Sequence, residues 1–360
     1  MKKKSSQPQI LVTGGAGYLG SVLVPMLLEA GYGVRVIDRL YFGHSSLYAV
    51  QNHPSLKITE EDILYQENIP DLFKNVHAVV HLASISNDPS CDLDPNLTIQ
   101  TNFLATMALA RRAQSEGVKR FVFMSSCSVY GASGSQMLDE NSRTGPVTLY
   151  ALSKLQAERE LLRLLNPRFS ITILRLSTLF GLSPRMRFDL AVNTMVKRAL
   201  QNQNILVNGE GRQYRPFVHV KDAAAAIKLV LGENTKKVHG KIFNVGAENL
   251  NYTIKELAED IKKHFPKTIV ERVPFNNDIR SYRVRFNRFH QQCGYVPSMS
   301  VEDGIKEIKQ AYQQGLWANM DDERFYNVLV MKKESKGPFI TQSLASSPLW
   351  ISKEALIQSK

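Results

Sequence analysis

The sequence predicts an α/β fold: a doubly wound parallel sheet followed by a smaller C-terminal α/β lobe. Three observations carry that expectation. Six short β-branched or aromatic runs occur in the first 180 residues, several of them apolar on both faces. Helical patterns fill the gaps between them. A glycine-rich stretch, "TGGAGYLG" (13–20), follows the first run and opens the first helix. The strand runs are "QILVT" (9–13), "GVRVI" (33–37), "LKIT" (56–59), "HAVVHLA" (77–83), "RFVFMS" (120–125) and "SITILRL" (170–176). Between them, "YLGSVLVPMLLEAG" closes on Gly31 and "LTIQTNFLATMALARRAQSEG" on Gly117, both suited to a C-cap. "TLYALSKLQAERELLRLL" stops at Asn166-Pro167. Repeated β–α–β units of this size wind a parallel sheet with helices on both faces.

After residue 180 the rhythm changes. "MRFDLAVNTMVKRALQNQ" reads as a helix, and "VNGEGRQYRPFVHVKDAAAAIKLVL" as loop, short strand and helix. "KIFNVGAENLNYTIKELAEDIKKHF" reads as strand, loop and helix, with Thr253 capping towards Glu256. The expected organisation is a dinucleotide-binding domain over 1–180, a substrate-binding lobe over 181–331 and a surface arm over 332–360.

The bulk numbers fit this plan. The chain has 360 residues, 43% apolar and 22% charged, enough for a sizeable core. No apolar stretch approaches the roughly 20 residues of a membrane helix. The basic start "MKKKSSQPQI" leads into a glycine-broken stretch and is read as the approach to a buried strand, not a signal peptide. Three cysteines, Cys91, Cys127 and Cys293, make no CxxC pair and no disulfide framework, which predicts a reducing, cytoplasmic setting. No His/Cys/Asp cluster suggests a metal. The net charge of +12 gathers in the two tails and in 262–288. An anionic small substrate explains it better than nucleic acid, since "RSYRVRFNR" alternates like a strand.

The glycine stretch satisfies G-x-G-x-x-G from Gly15 and G-x-x-G-x-x-G from Gly14. Glycines there permit a tight turn and let a pyrophosphate rest on helix N–H groups. Asp38 closes the second strand 18 residues past Gly20, where a carboxylate holds an adenosine ribose and repels a 2′-phosphate. NAD is therefore the expected cofactor, with Arg39 the one residue that argues for NADP.

"YALSK" sets Tyr150 and Lys154 four apart, on one face if helical. A phenol is a poor base near neutrality, and a nearby ammonium is expected to lower its pKa. Upstream, "FVFMSSCSVYG" follows a strand and brings Ser126 and Ser128 to the ligand-binding edge of the sheet. His81 and Cys127 are expected to pack at strand ends.

Together "TGGAGYLG", Asp38, "VVHLAS", "SSCSVYG", "YALSK" and "FVHVKDAA" resemble the extended short-chain dehydrogenase/reductase family, in its nucleotide-sugar epimerase/dehydratase branch, from about residue 9 to about residue 312. The resemblance implies a Rossmann-like domain with NAD bound along Gly14, Gly17, Tyr18, Leu19 and Gly20. Asp38 would take the adenosine ribose, Asp62 and Ile63 the adenine, and Ala83 would pass beneath the cofactor. Asn102 would brace the active-site backbone against the cofactor. Ser126, Tyr150 and Lys154 match the catalytic trio. Ser84, Ser126, Ser128, Thr178, Asn193, Arg215, Asp278, Arg280 and Tyr282 match positions that contact a nucleotide-diphosphate sugar, with Arg215 suited to the diphosphate. Phe275 stands where such enzymes carry an arginine, so Arg280 takes that part. The helices bearing Asn102 and Tyr150 imply a homodimer.

One departure narrows the reaction. The branch's 4,6-dehydratases carry an Asp-Glu pair where this sequence has Cys127 and Ser128. Dehydration is therefore rejected in favour of epimerisation at C4 through a 4-keto sugar. The alternatives are a 4-ketoreductase using the same trio and, more remotely, a non-catalytic dinucleotide sensor.

Overall fold

The structure, a computed structural model, describes residues 8–274 and 278–334. Lys2, Lys3, Lys4, Phe275 and the arm beyond Glu334 lie outside the described residues. Seven strands form one sheet in the order Lys241–Val245, Ser170–Leu176, Arg120–Ser126, Val76–His81, Gln9–Thr13, Gly33–Asp38, Leu56–Glu60. Every neighbouring pair is parallel. Chain order runs outward from Gln9–Thr13 on one side and from Val76–His81 on the other, so the switch point lies between these two strands. A crevice opens beyond their carboxyl ends.

The sheet has a core on each face because successive side chains alternate. Ile10 and Val12 pack with Leu23, Leu27 and Ala223 on one face. Leu11, Val79, Phe121 and Phe123 pack with Ala113 and Leu161 on the other. All six expected strands are present, with ends shifted by no more than two residues. His81 is buried between Thr13 Oγ1 (2.7 Å) and Thr106 Oγ1 (2.8 Å). Burial pushes its imidazole down to about 3, so it stays neutral.

The expected boundary at residue 180 does not divide the fold. Helix Val220–Gly232 packs on helix Gly20–Glu29, and strand Lys241–Val245 extends the main sheet beside Ser170–Leu176. The physical reason is the edge: Ser170–Leu176 is buried along its whole length and needs a partner on its outer side. Conversely, strand Ala132–Leu138 pairs with Ser281–Val284 from the second lobe. That lobe also holds the sheet Asn251–Thr253, Tyr214–His219, Thr178–Phe180 and the pair Val270–Val273 with Ile205–Asn208. The Thr253–Glu256 capping box forms as expected. The arm also starts differently: residues 332–334 end a helix, Asn327–Glu334. No helix among the described residues is long and apolar enough to cross a membrane.

Candidate active site

A cavity of about 690 Å³ runs along the carboxyl ends of the strands and under the second lobe. The glycine loop forms one end. Gly14 has φ +72°, and a Cβ there would lie 2.7 Å from the Ala83 backbone nitrogen. A Cβ on Gly20 would lie 2.3 Å from the Gly14 carbonyl oxygen. Only glycine closes this turn while keeping the start of helix Gly20–Glu29 open to a ligand. Gly17, Tyr18, Leu19 and Gly20 all line the cavity.

Asp38 reaches back to this loop. Its carboxylate accepts from Ala16 N (2.9 Å) and Leu40 N (2.8 Å). Burial raises its carboxyl above the usual value despite those bonds. Asp62 accepts from Leu64 N (2.9 Å) and from Arg39 (2.7 Å), and Ile63 is buried beside it. Arg39 also stacks over the Tyr41 ring at 4.2 Å. The cation that argued for NADP is thus engaged by Asp62. A loop with no room for side chains, a helix start above it and two acids at the ends of adjacent strands fit an unphosphorylated dinucleotide.

At the centre, Thr148 caps helix Leu149–Arg163 by accepting from Ala151 N (3.2 Å). Tyr150 and Lys154 follow one turn apart and both line the cavity. Lys154 Nζ donates to the Met124 carbonyl (3.0 Å) and lies 5.0 Å over the Phe123 ring. Ser126 Oγ accepts from Ser128 N (3.1 Å) and Ser128 Oγ (2.9 Å), and it is hydrogen-bonded to the Tyr150 hydroxyl. With two donors already directed at it, Ser126 has its own proton available for the phenol oxygen.

The expected lowering of the phenol is not what the chain alone provides. Burial raises Tyr150 above its ordinary value, and Cys91 and Asp88 add to that; Arg187 and the Ser126 bond only oppose it. The Lys154 ammonium is directed at Met124, which explains why it does not dominate. Lys154 itself is pushed down from 10.5 to about 8 by burial. At this site the unfolded chain binds more protons than the folded one between those values. Its contribution to stability therefore rises with pH across the window and is lost as pH falls through 8. Wild-type melting temperature is expected to gain on that of Lys154→Met between pH 7.5 and 9.5. A gap that does not change with pH would show the ammonium to be hydrated.

The far end belongs to the second lobe. Arg215 donates to Asp278 (2.9 Å), to the Tyr214 carbonyl (2.8 Å) and to the Arg280 carbonyl. Arg280 clamps Asp278 through Nε (2.7 Å) and Nη2 (2.6 Å) and also bonds Asp88. Burial alone would raise the Asp278 carboxyl, but the two guanidinium groups hold it below its usual value. The Arg215 guanidinium lies 5.5 Å over the Tyr282 ring. Thr178 and Ser84 also line the cavity.

Two asparagines lie outside the cavity lining. Asn193 is fully buried and does not line the cavity: it accepts from Gly181 N (3.0 Å) and donates to Tyr18 Oη (3.1 Å) and the Arg187 carbonyl (2.9 Å). It braces the chain behind the site, because every polar atom of its amide is already paired. Asn102 also lies behind the wall, in a π-helical turn Gln100–Ala105. It accepts from Ile85 N (2.8 Å) and Ser84 Oγ (3.1 Å) and donates to the Ile85 carbonyl (3.0 Å). That is the backbone brace the resemblance implied, without a place in the cavity. Cys127 likewise faces the interior, donating to the Arg175 carbonyl (3.3 Å), and burial pushes its thiol up to about 12.

Sequence reasoning missed a group of charged residues. Residues 186–190 were read as helix, but the helix runs only over Ala191–Leu200. The stretch before it is a loop crossing the cleft, held by Asp189, which pairs with Arg187 (2.8 Å) and accepts from Asn87 (3.0 Å) and Asn327 N (3.0 Å). Arg185 and Arg187 thereby face the cavity. The Arg185 guanidinium lies 3.6 Å over the Phe42 ring, and its Nε is buried without a partner. Burial lowers it to about 9, while the field of Asp38 opposes that. Its Nη2 donates to Asn327 (2.6 Å), which holds this buried cation in the cavity wall. The only sequence signal was the spacing of two arginines in "SPRMRFDL".

The model of the NAD-dependent epimerase/dehydratase family matches residues 10–246. The chain belongs to this family. It is an NAD-dependent enzyme, and the glycine loop, Asp38, Asp62 and Arg185 all line the cavity. Among curated relatives of the family, UDP-N-acetyl-alpha-D-glucosaminuronate decarboxylase of Bacillus cytotoxicus is 29% identical, over 84% of this chain and 97% of its own. The UDP-glucose 4-epimerase of Thermotoga maritima, crystallised with UDP-glucose, superposes with a TM-score of 0.76 at 25% identity, over 86% of this chain and 100% of that one. DesIV, the dTDP-glucose 4,6-dehydratase of Streptomyces venezuelae, solved with NAD bound, gives 0.77 at 26%, over 86% and 99%. The NAD-dependent epimerase/dehydratase reading of the sequence thus holds at the level of family, fold and cofactor.

Proposed function

We propose that the enzyme inverts C4 of a nucleotide-diphosphate sugar through a 4-keto intermediate. The observation that carries this reading is the centre of the cavity. Ser126 and Tyr150 are linked there, Lys154 lies one turn on, and positions 127–128 hold no carboxylates. Without an acid and a base at that place, loss of water across C5–C6 has no partner for its two protons. Bound NAD supplies the hydride chemistry at C4. The chain's own part is to move and hold the proton. Tyr150 enters the cycle as the phenolate, a form that burial opposes and that the positive charge of a bound oxidised cofactor would favour. Ser126 hydrogen-bonds the C4 hydroxyl and relays its proton to Tyr150 Oη, which keeps it while the ketone exists and returns it when the alcohol reforms. Lys154 lines the same cavity, where its ammonium would hold the cofactor ribose and fix the site's charge. Arg215 and Arg280 grip the diphosphate, so the sugar turns about a fixed point and presents its other face.

The test is a panel of UDP-, dTDP-, GDP- and CDP-sugars without added cofactor, with NMR of the products. For an accepted sugar deuterated at C4, the inverted product is expected to keep the label. A 6-deoxy-4-keto product, or turnover only with stoichiometric reduced cofactor, would replace this reading with a dehydratase or a ketoreductase. A homodimer pairing the helices of Asn102 and Tyr150 belongs to the same reading; a monomer in sedimentation equilibrium removes it.

A further inference from the structure

Helix Asn327–Glu334 lies outside the stretch matched by the family model and after the last element legible in the sequence. It is anchored from one side of the cleft and reaches across to the other. On the second lobe, the Phe188 ring meets Trp317 edge-on at 5.1 Å and Phe325 at 5.4 Å, and Phe188 N donates to the Phe325 carbonyl (3.1 Å). Lys197 bonds both Asp321 and the Tyr326 hydroxyl. From that anchor the chain turns over the cofactor end. Asn327 N donates to Asp189 (3.0 Å), its Nδ2 to Ser86 Oγ (2.9 Å) and the Ser86 carbonyl (3.2 Å), and its Oδ1 accepts from Arg185 (2.6 Å). Met331 is buried with Ile85, Cys91 and Leu97, against Tyr41, Leu64 and Tyr150. Glu334 comes within 4.0 Å of Arg39, the cation that bonds Asp62.

We propose that this helix is part of the NAD site. Asn327, Val328 and Met331 form a cavity wall opposite the strand ends, and the dinucleotide is enclosed between the two. Asn327 acts as a positioning residue: it holds the Arg185 fork beside the glycine loop, so a buried guanidinium meets the cofactor's negative charge without first being ordered. Met331 supplies apolar surface between the residues flanking the adenine end and those flanking Tyr150. A wall built this way slows departure more than entry, so it acts mainly on the dissociation rate. This inference stands on the family's cofactor and is independent of the C4 reading.

The test uses the full-length protein stripped of NAD, with NAD as the probe. Affinity is measured by calorimetry, release by stopped flow, and cofactor-free melting separately. Asn327→Ala and Met331→Ala are each expected to weaken NAD binding about tenfold, mostly through faster release. Both truncate buried side chains, so cofactor-free melting also falls, and affinity is read at a temperature where each variant is fully folded. Leu329→Ala, on the exposed side of the same helix, serves as the control and is expected to leave affinity unchanged. Should Met331→Ala fail to fold, Val328→Ala makes a smaller deletion in the same wall. Unchanged affinity in the wall variants overturns the proposal, as does a loss matched by Leu329→Ala or one confined to cofactor-free melting.

Discussion

Tyr150→Phe is expected to lower turnover by about 10²- to 10⁴-fold while leaving NAD content and melting temperature close to wild type. The change removes one oxygen from a ring that is otherwise well packed, and the ring's neighbours Cys91, Leu97 and Met331 stay in place. On the proposed mechanism, what disappears is the group that holds the substrate's proton while the ketone exists. No neighbour can take over. Lys154 donates to the Met124 carbonyl. Ser126 and Ser128 are hydroxyls far less acidic than a phenol, and they are already bonded to each other at 2.9 Å. Cys127 faces away and stays a thiol. Ser126→Ala should cost less, because it removes the relay and keeps the phenol. The measurements are kcat on an accepted sugar and NAD bound per chain. Near-wild-type turnover in Tyr150→Phe would remove the phenol from the mechanism. A biological activity that survives loss of turnover would instead favour the sensor.

The parts of this molecule that were legible in the sequence are those whose cause is local. Parallel strands covered on both faces read as apolar runs, which marked most of the sheet, while the exposed edge strand Leu56–Glu60 was marked by its short β-branched run alone. The strand "KIFNV" was seen as a strand but assigned to the wrong lobe, because pairing beside Ser170–Leu176 is a tertiary choice that periodicity does not encode. Gly14, Gly20, Asp38, Ser126, Tyr150 and Lys154 reach the cavity since each sits in a short motif at a strand end or first helical turn. Arg185, Asp88 and Asn327 were invisible for the opposite reason. Asn327 meets Ser86 across 241 residues of sequence and Arg185 across 142. Asn193 had the right residue type but the wrong direction, which only its three hydrogen bonds reveal. The phenol's environment could not be read either, because burial outweighs the lysine four residues on.

Glu158→Gln is expected to cost about 3–5 kcal/mol of stability and to impair catalysis as well. Glu158 lies on the helix of Tyr150 and Lys154, one turn beyond the lysine, and is 1% exposed. It pairs with Arg175 of the central sheet through Nε (3.0 Å) and Nη2 (2.7 Å), and it accepts from Ser125. Arg175 also donates to the Tyr130 hydroxyl (3.0 Å). Both charges are out of water, so their attraction does little more than offset their desolvation; removing one leaves the other unpaid for by any partner. The amide keeps the shape of Glu158 but not its charge, so the buried guanidinium is left without a counter-ion. The helix must then shift or admit water, and Lys154 moves with it. Glu158 is also one of the charges that keep the Lys154 ammonium from falling further, so its loss lowers that group below about 8. Urea titration gives the stability, and the pH dependence of kcat gives the second effect. In the double variant Glu158→Gln/Arg175→Met the loss should be well below the sum of the single losses, because no lone charge remains in the core. Additive losses, or a Glu158→Gln protein within about 1 kcal/mol of wild type, would mean that the pair is hydrated and that the catalytic helix is oriented by its apolar face alone.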